Sequence, residues 1–299
     1  MRVVRAHRTL RERVADMWEY RELLVGLIRK DLKVRYKSSA LGFAWSLVNP
    51  LLYLVIFYVA FQVVLKAGIP QFPIWLLSGL LVWNLFSVGL TAATGSVTAN
   101  AEIVKKVAFP REILPLAAVG AALVHFLLQA SVLAVALLAY RHDVAWGYLP
   151  LLPLGLFAVL VFAAGLGMLL AAINVRLRDT EHFVELALLA WFWFTPIIYP
   201  YMTVGNQRAE NGFLVGLYTA NPITPIVVTF QRTIYNRLES SSPGGGRLGE
   251  IGAGTELLPG WGVEAYLLLL LYTITLGVIL LFIGLWAFAR YEGDFAEEL

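Results

Sequence analysis

Four histidines, His7, His125, His142 and His182, are scattered without the spacing of metal ligands, and the chain has no cysteine. Disulfides, thiolate metal sites and cysteine nucleophiles are excluded, and no metal site is expected. The one glycine run, Gly244-Gly245-Gly246-Arg247, lacks the G-x-x-x-x-G-K-[ST] pattern and the flanking strand and helix of a phosphate cradle. Nucleotide is not expected to bind this chain by that route. Glu102 and Asp179 are spaced too poorly to nominate a catalytic or metal-holding carboxylate pair. What remains is a chemistry of contact. Asn100 can cap a short helix with Glu102 in its first turn and Lys105 and Lys106 in its last, in agreement with the helix dipole at both ends. Phe109-Pro110 then starts a new helix. A rigid helix joined stiffly to the next can transmit a push that a Gly/Ser loop would absorb; a simple well-capped turn is the alternative. A second short connection, 174–182, carries Arg176, Arg178 and Asp179.

These residues must be positioned by elements that live in a bilayer. The 299 residues are 59% hydrophobic and only 14% charged, with a mean hydropathy of +0.73, too apolar to cover with a polar shell. The net charge of +3 comes from basic residues crowded in the N-terminal arm and short loops, which suits a membrane surface and not nucleic acid. A spanning helix needs about 20 apolar residues. Six segments qualify, near 45–65, 74–97, 113–140, 149–173, 183–199 and 263–288. The fifth is the shortest, and Pro196 interrupts it, so it is expected to be broken or only partly spanning. The first begins after a long charged segment and has spanning length, unlike a cleavable signal peptide. The expected division is an arm at 1–43 and a six-helix membrane domain at 44–299, both all-α. An even span count puts both termini on one side. That side holds 17 of the 23 Lys and Arg residues, 11 of them in the arm, which makes it cytoplasmic.

Within the arm, 17–37 reads as an amphipathic helix: Tyr20, Leu24, Leu27, Ile28 and Leu32 share one face, and Glu19, Glu22, Arg29, Lys30 and Lys33 the other, with Arg35 adding to its basic charge. It suits a helix lying in the interface, apolar side among acyl chains; packing on a soluble partner is the alternative. The connection from about 200 to 262 is external. Within it Thr224-Pro225 opens a short helix, with Ile226, Val227, Val228, Phe230 and Ile234, too brief to cross and read as re-entrant or interfacial. A Ser/Gly-rich loop follows at 240–254.

No acidic or basic side chain falls in the middle of the six spans; Glu185 and Glu264 lie near segment ends, and His125, alone within a span, reads as a helix-contact histidine. Ion-gradient coupling therefore has no residues to run on. Energy must come from elsewhere. The first, second and fifth spans carry Tyr53, Phe57, Tyr58, Trp75, Trp83, Trp191, Trp193 and Phe194. Such rings can stack on sugars without charge, although aromatics also enrich membrane interfaces whatever the cargo.

Four blocks in order carry a resemblance. The run Asp31-Leu32-Lys33-Val34-Arg35-Tyr36-Lys37-Ser38-Ser39-Ala40-Leu41-Gly42, continuing through Trp45 to Asn49-Pro50, resembles the opening of type-2 ABC exporter permeases of the polysaccharide, O-antigen and teichoic-acid branch. The block from Asn100 to Glu112 resembles that family's first coupling segment, Arg178-Asp179 precedes its fifth span, and Thr195-Pro196-Ile197-Ile198-Tyr199 resembles that span's end; Asn221-Pro222 also matches. The insert near Ser240 departs from shorter members. The resemblance implies the type-2 exporter fold in the bacterial cytoplasmic membrane. It also implies a homodimer with two separate ATP-binding subunits, which hold ATP and Mg²⁺ while this chain binds no cofactor. The cargo would be a lipid-linked glycan of the O-antigen, teichoic-acid or galactan type. Asn100, Glu102, Lys105, Lys106, Phe109, Pro110, Arg111, Arg178 and Asp179 would meet the ATPase. The first and fifth spans would line the path, which nominates Tyr53, Phe57, Trp191 and Trp193. A drug or small-lipid exporter of the same superfamily shares these energetic arguments, and an integral membrane glycosyltransferase is the reading from another class.

Overall fold

The computed structural model describes residues 17–37, 45–205, 212–237 and 256–291, with positions 12, 239, 254 and 298 besides. Most of the arm before Met17 and, apart from Gly254, the expected loop at 240–254 lie outside the described residues. In chain order the helices are α1 (Arg21–Tyr36), α2 (Trp45–Phe57, continued by a π-helix at Tyr58–Val64), α3 (Phe72–Thr94), α4 (Ser96–Ala99), α5 (Ala101–Lys106), α6 (Ile113–Ala139), α7 (Leu151–Arg176), α8 (Thr180–Trp193), α9 (Tyr201–Gly205), α10 (Gly212–Ala220), α11 (Ile223–Ile234) and α12 (Val263–Tyr291). Among the described residues the only extended pairing is an isolated bridge between Glu239 and Glu256.

Four helices, α3, α6, α7 and α12, are long and apolar enough to cross a membrane. Uniform apolarity leaves them no solvated face, so burial differs with position and not with composition. In the most apolar stretch of α3, 78% of residues are buried, against 22% in α12; α3 is the centre of the bundle and α12 its rim. Two of the six expected segments depart from simple spans. The first holds Pro50 and passes into a π-helix. The fifth is cut short: α8 has 14 residues and ends at Trp193, because Pro196 cannot continue the ladder and disfavours helix in the residue before it.

α7 and α12 pack backbone to backbone. A Cβ on Gly165 would stand 2.5 Å from the Gly277 carbonyl oxygen, and one on Gly277 would stand 2.8 Å from the Phe162 nitrogen. Small residues allow this approach, which drives association in lipid. The short helix α11 is almost wholly buried against α3 and α7. It starts at Ile223, one residue before the expected Thr224-Pro225, and with 12 residues is a buried helix too short to cross. Part of its polar content is paired inside: Gln231 Nε2 donates to the Pro196 carbonyl at 3.0 Å, and Thr229 and Thr233 donate back to carbonyls one turn earlier, while Gln231 Oε1 and Arg232 Nε are buried without a partner among the described residues. A smaller hydrophobic cluster at one end joins Leu27, Val97, Val104, Phe109, Met168 and Phe288.

Candidate coupling face and substrate path

α3 breaks at Gly95, and the chain reaches α5 through α4. The break is held from α7: buried Asn174 donates Nδ2 to the Thr94 carbonyl at 3.2 Å. Sequence reasoning missed Asn174, since an Asn near a helix end carries no signal until its partner is known. Asn100 stands at the start of α5, but its side chain makes no cap. The Nδ2 group donates back to the Ser96 carbonyl at 2.8 Å, and Oδ1 accepts from Lys30 Nζ at 2.8 Å. The expected cap is thus replaced by a tie between α1 and the α4–α5 corner. Only the Asn100 carbonyl serves α5, receiving the Ile103 and Val104 N–H groups.

Glu102 and Lys106 pair at 2.7 Å across one exposed turn, and Lys105 is exposed beside them. Val104 and Phe109, both buried, root the segment in the smaller cluster. Pro110 is buried too, and Arg111 half-buried. The following helix begins at Ile113 and not at Phe109-Pro110: the Pro110 and Arg111 carbonyls accept from Ile113 and Leu114 in a lead-in turn. The second connection lies at the same end. Arg178 and Asp179 are exposed; Arg178 donates to the Glu298 carbonyl at 3.3 Å, and Arg176 pairs with the Glu298 carboxylate at 3.1 Å. Asp179 precedes α8 with no side-chain cap, and its carbonyl accepts from Phe183. One turn on, Glu181 lies over the break in α3, its Oε1 2.9 Å from where a Cβ on Gly95 would be. A larger residue there would displace the Glu181 carboxylate. The two connections therefore meet, and a cleft of about 770 Å³ opens beside them between Lys30, Asp31, Thr91, Asn100, His125 and Glu181.

The apolar stripe of α1 packs in part against this chain. Leu27 is buried in the smaller cluster, with Tyr20, Leu24 and Ile28 packed against it. A Cβ on Gly120 of α6 would come 2.6 Å from Ile28 Cδ1. Sequence periodicity shows that a stripe is covered, not by what. Arg29 and Lys33 are exposed, as are Trp18, Val25 and Val34; the side chain of Arg35 lies outside the described residues.

Three of the four nominated path aromatics join in one row, through a residue sequence reasoning did not name. Tyr53 stacks on Phe57 at 6.0 Å, Phe57 on Phe192 at 6.0 Å, and Phe192 meets Trp193 edge-on at 5.8 Å. Tyr53 is 41% exposed and Trp193 54%. Trp191 is not in the row. Its ring packs inward against Phe86 at 5.1 Å and Phe162 at 6.3 Å, and its indole N–H donates to Asn221 Oδ1 at 2.8 Å. Residues two apart on a helix point about 200° apart, so Trp191 and Trp193 could not share a face; that signal was available. Trp75 and Trp83 are buried core residues, 0% and 6% exposed.

A bundle of long apolar helices with a rooted, charge-tipped helix at one end is the build of a multi-pass membrane transport subunit. The chain belongs to the ABC-2 type transporter family, whose pattern it matches over residues 22–235. It is similar to the O-antigen export system permease protein RfbA of Myxococcus xanthus, 33% identical over 231 residues, covering 77% of this chain and 87% of that protein. It is also similar to RfbA of Klebsiella pneumoniae, 32% identical over 278 residues, covering 93% and 95%. A more distant similarity, 18% identity over 60% of this chain and 71% of the other, is to the polysialic acid transport protein KpsM of Escherichia coli. The family expected from the ordered sequence blocks is the one matched.

Proposed function

We propose that this chain is the membrane-spanning permease subunit of an ABC exporter that moves a lipid-linked polysaccharide out across the bacterial cytoplasmic membrane. The observation that carries the reading is similarity to an O-antigen export permease across 93% of the chain. Two copies form the membrane domain and two separate ATP-binding subunits dock beneath it; ATP and Mg²⁺ belong to those subunits, where hydrolysis supplies the energy. Six segments cross. α2 with its π-helix and the shortened α8 complete the count, the latter ending in the Thr195-Pro196 turn that α11 buttresses through Gln231. Both termini, and α4–α5 with the Arg178-Asp179 connection, are cytoplasmic, as the excess of Lys and Arg at that end supports.

The arrangement suits transmission of a push. The exposed side of α5, with Glu102, Lys105 and Lys106, meets the ATPase together with Arg178 and Asp179, while Val104 and Phe109 carry its displacement into the bundle. Lys30 couples α1 to the same corner. Hydroxyl-rich cargo cannot cross hydrocarbon bare, since each unpaired hydroxyl costs several kcal/mol, and the row Tyr53, Phe57, Phe192 and Trp193 supplies stacking surface between copies. Co-purification with candidate ATPase subunits, followed by ATP turnover with and without lipid-linked glycan, tests the assignment. Stimulated turnover in the complex is expected; a chain that binds no ATPase subunit, or transfers sugars by itself, is not this permease.

A further inference from the structure

We infer that the end of the bundle opposite α5 carries an anion site, built from Arg141, Asn236 and Arg237 on a rim held by His142, that holds a single phosphate or carboxylate group. The inference rests on the outward orientation proposed above for that end. Three connections distant in sequence meet here around a cavity of about 180 Å³, room for one such group and not for a run of sugars.

The rim is fixed. His142 is held from both sides, with Nδ1 2.5 Å from Gln71 Oε1 and Nε2 2.8 Å from the Tyr235 carbonyl oxygen. That carbonyl can only accept, so Nε2 carries a proton; the roles at Nδ1 follow from the tautomer and the orientation of the Gln71 amide. The Tyr235 hydroxyl donates to the Pro70 carbonyl at 2.7 Å. Burial raises the pKa of this phenol, against a smaller lowering by the Arg237 charge, so it stays a neutral donor. Arg232 donates to Asn236 Oδ1 at 2.6 Å, with its guanidinium 4.3 Å above the Tyr148 ring.

Two features bear on what the cavity holds. Gln71, Arg141 and Asn236 have left-handed backbone, with φ of 47°, 46° and 57°, as has Lys66 outside the cavity at 50°; at Arg141 it closes α6, with Arg141 N–H donating to the Leu138 carbonyl and His142 N–H to the Leu137 carbonyl. Glycine is the usual residue there, and a larger side chain other than Asn costs on the order of 1 kcal/mol. Arg141 and Gln71 stand in those places nonetheless, and both line the cavity, but Lys66 bears the same cost outside it, so charge is what singles the cavity out. The second feature is charge. This end holds only six of the 23 Lys and Arg residues, yet Arg141 and Arg237 line one cavity and Arg232 bonds a third lining residue. Asp143 is the one carboxylate in the lining, and among the described residues no ion pair joins it to either arginine. Two guanidinium forks against one carboxylate leave a surplus that fits a phosphate or carboxylate bidentately.

The group could belong to a phospholipid of that leaflet or to material passing outward. The full-length chain is purified in detergent and titrated calorimetrically with inorganic phosphate and with glucuronate; in parallel it is placed in nanodiscs, and retention of phosphatidylglycerol is compared with phosphatidylcholine by native mass spectrometry. Variants are R141Q/R237Q, R141G and, outside the cavity, K66Q. At least one probe should bind wild type and K66Q alike and R141Q/R237Q at least tenfold more weakly. Saturable binding of a soluble anion marks the material passing through; retention of phosphatidylglycerol alone marks the lipid. R141G should lose binding while its melting temperature holds or rises, because glycine relieves the left-handed turn; a variant that merely unfolds cannot do this. Wild type that binds no probe, or K66Q as defective as the double variant, overturns the site. No ATPase subunit or ATP is present, so that failure leaves the export reading standing, and a failed ATPase test leaves this one standing.

Discussion

Trp191 donates its indole N–H to Asn221 Oδ1 at 2.8 Å, and Asn221 Nδ2 in turn donates to the Phe194 carbonyl and to Thr195 Oγ1, each at 3.0 Å. Its Oδ1 also accepts from the Ile223 N–H at 3.0 Å. One side chain thus closes the end of α8 and opens α11. The end of a shortened membrane helix would otherwise leave carbonyls unpaired in an apolar setting.

Asn221→Leu should therefore lower stability by about 1–3 kcal/mol, the cost of leaving buried partners unpaired. Trp191→Phe, which removes one donor and keeps a ring, should cost less than Asn221→Leu. Thermal unfolding in detergent measures both. Equal and negligible shifts would mean that Asn221 does not hold the turn.

The Lys30–Asn100 contact predicts a coupling effect with little stability effect. Lys30→Ala and Asn100→Ala should each change stability by at most about 1 kcal/mol, since the pair is exposed. Cargo-stimulated ATP turnover should fall in each, and the double variant should fall no further than the worse single variant. Additive losses would show that the two side chains act separately.

For the docking face, Glu102→Lys breaks the pair with Lys106, which at an exposed i, i+4 site is worth about 0.3–0.5 kcal/mol. Insertion and melting temperature should be nearly unchanged, while stimulated ATP turnover and export fall together. Asp179→Lys should behave alike, and Glu102→Gln should be mild. Unchanged coupling in all three would remove the ATPase from this face.

Orientation can be read directly because the natural chain has no cysteine. Trp146→Cys, at a site 74% exposed, should react with an impermeant thiol reagent from outside the cell, and Lys105→Cys only after permeabilisation. Reversed labelling would invert the topology.

The four long spans were legible in the sequence because an apolar helix of more than about 20 residues is at home in few settings besides a bilayer; α3, α6, α7 and α12 match four expected segments to within a few residues at most of their ends. What tertiary partners decide was not legible. Asn100 had the right type and place for a cap, but Lys30 and the Ser96 carbonyl compete for its side chain. The stripe of α1 was visible and its cover was not. Asn174, Asn221 and Gln231 are polar residues whose meaning lies largely in a carbonyl or side chain 26 to 80 positions away. Trp191 and Trp193 differ in kind: helical phase alone separates them, and grouping them by residue type obscured it.

The most direct test is photocrosslinking during export. A photoreactive amino acid is placed in turn at Tyr53, Phe57, Trp191, Phe192 and Trp193 in the assembled exporter, with radiolabelled lipid-linked glycan and ATP. Cargo should be captured at Tyr53, Phe57, Phe192 and Trp193 only while ATP is turned over, and not at Trp191, which faces the core. With further photoreactive positions on α6 and α7 as controls, capture from those helices with none from the row, or capture at Trp191 alone, would contradict this route.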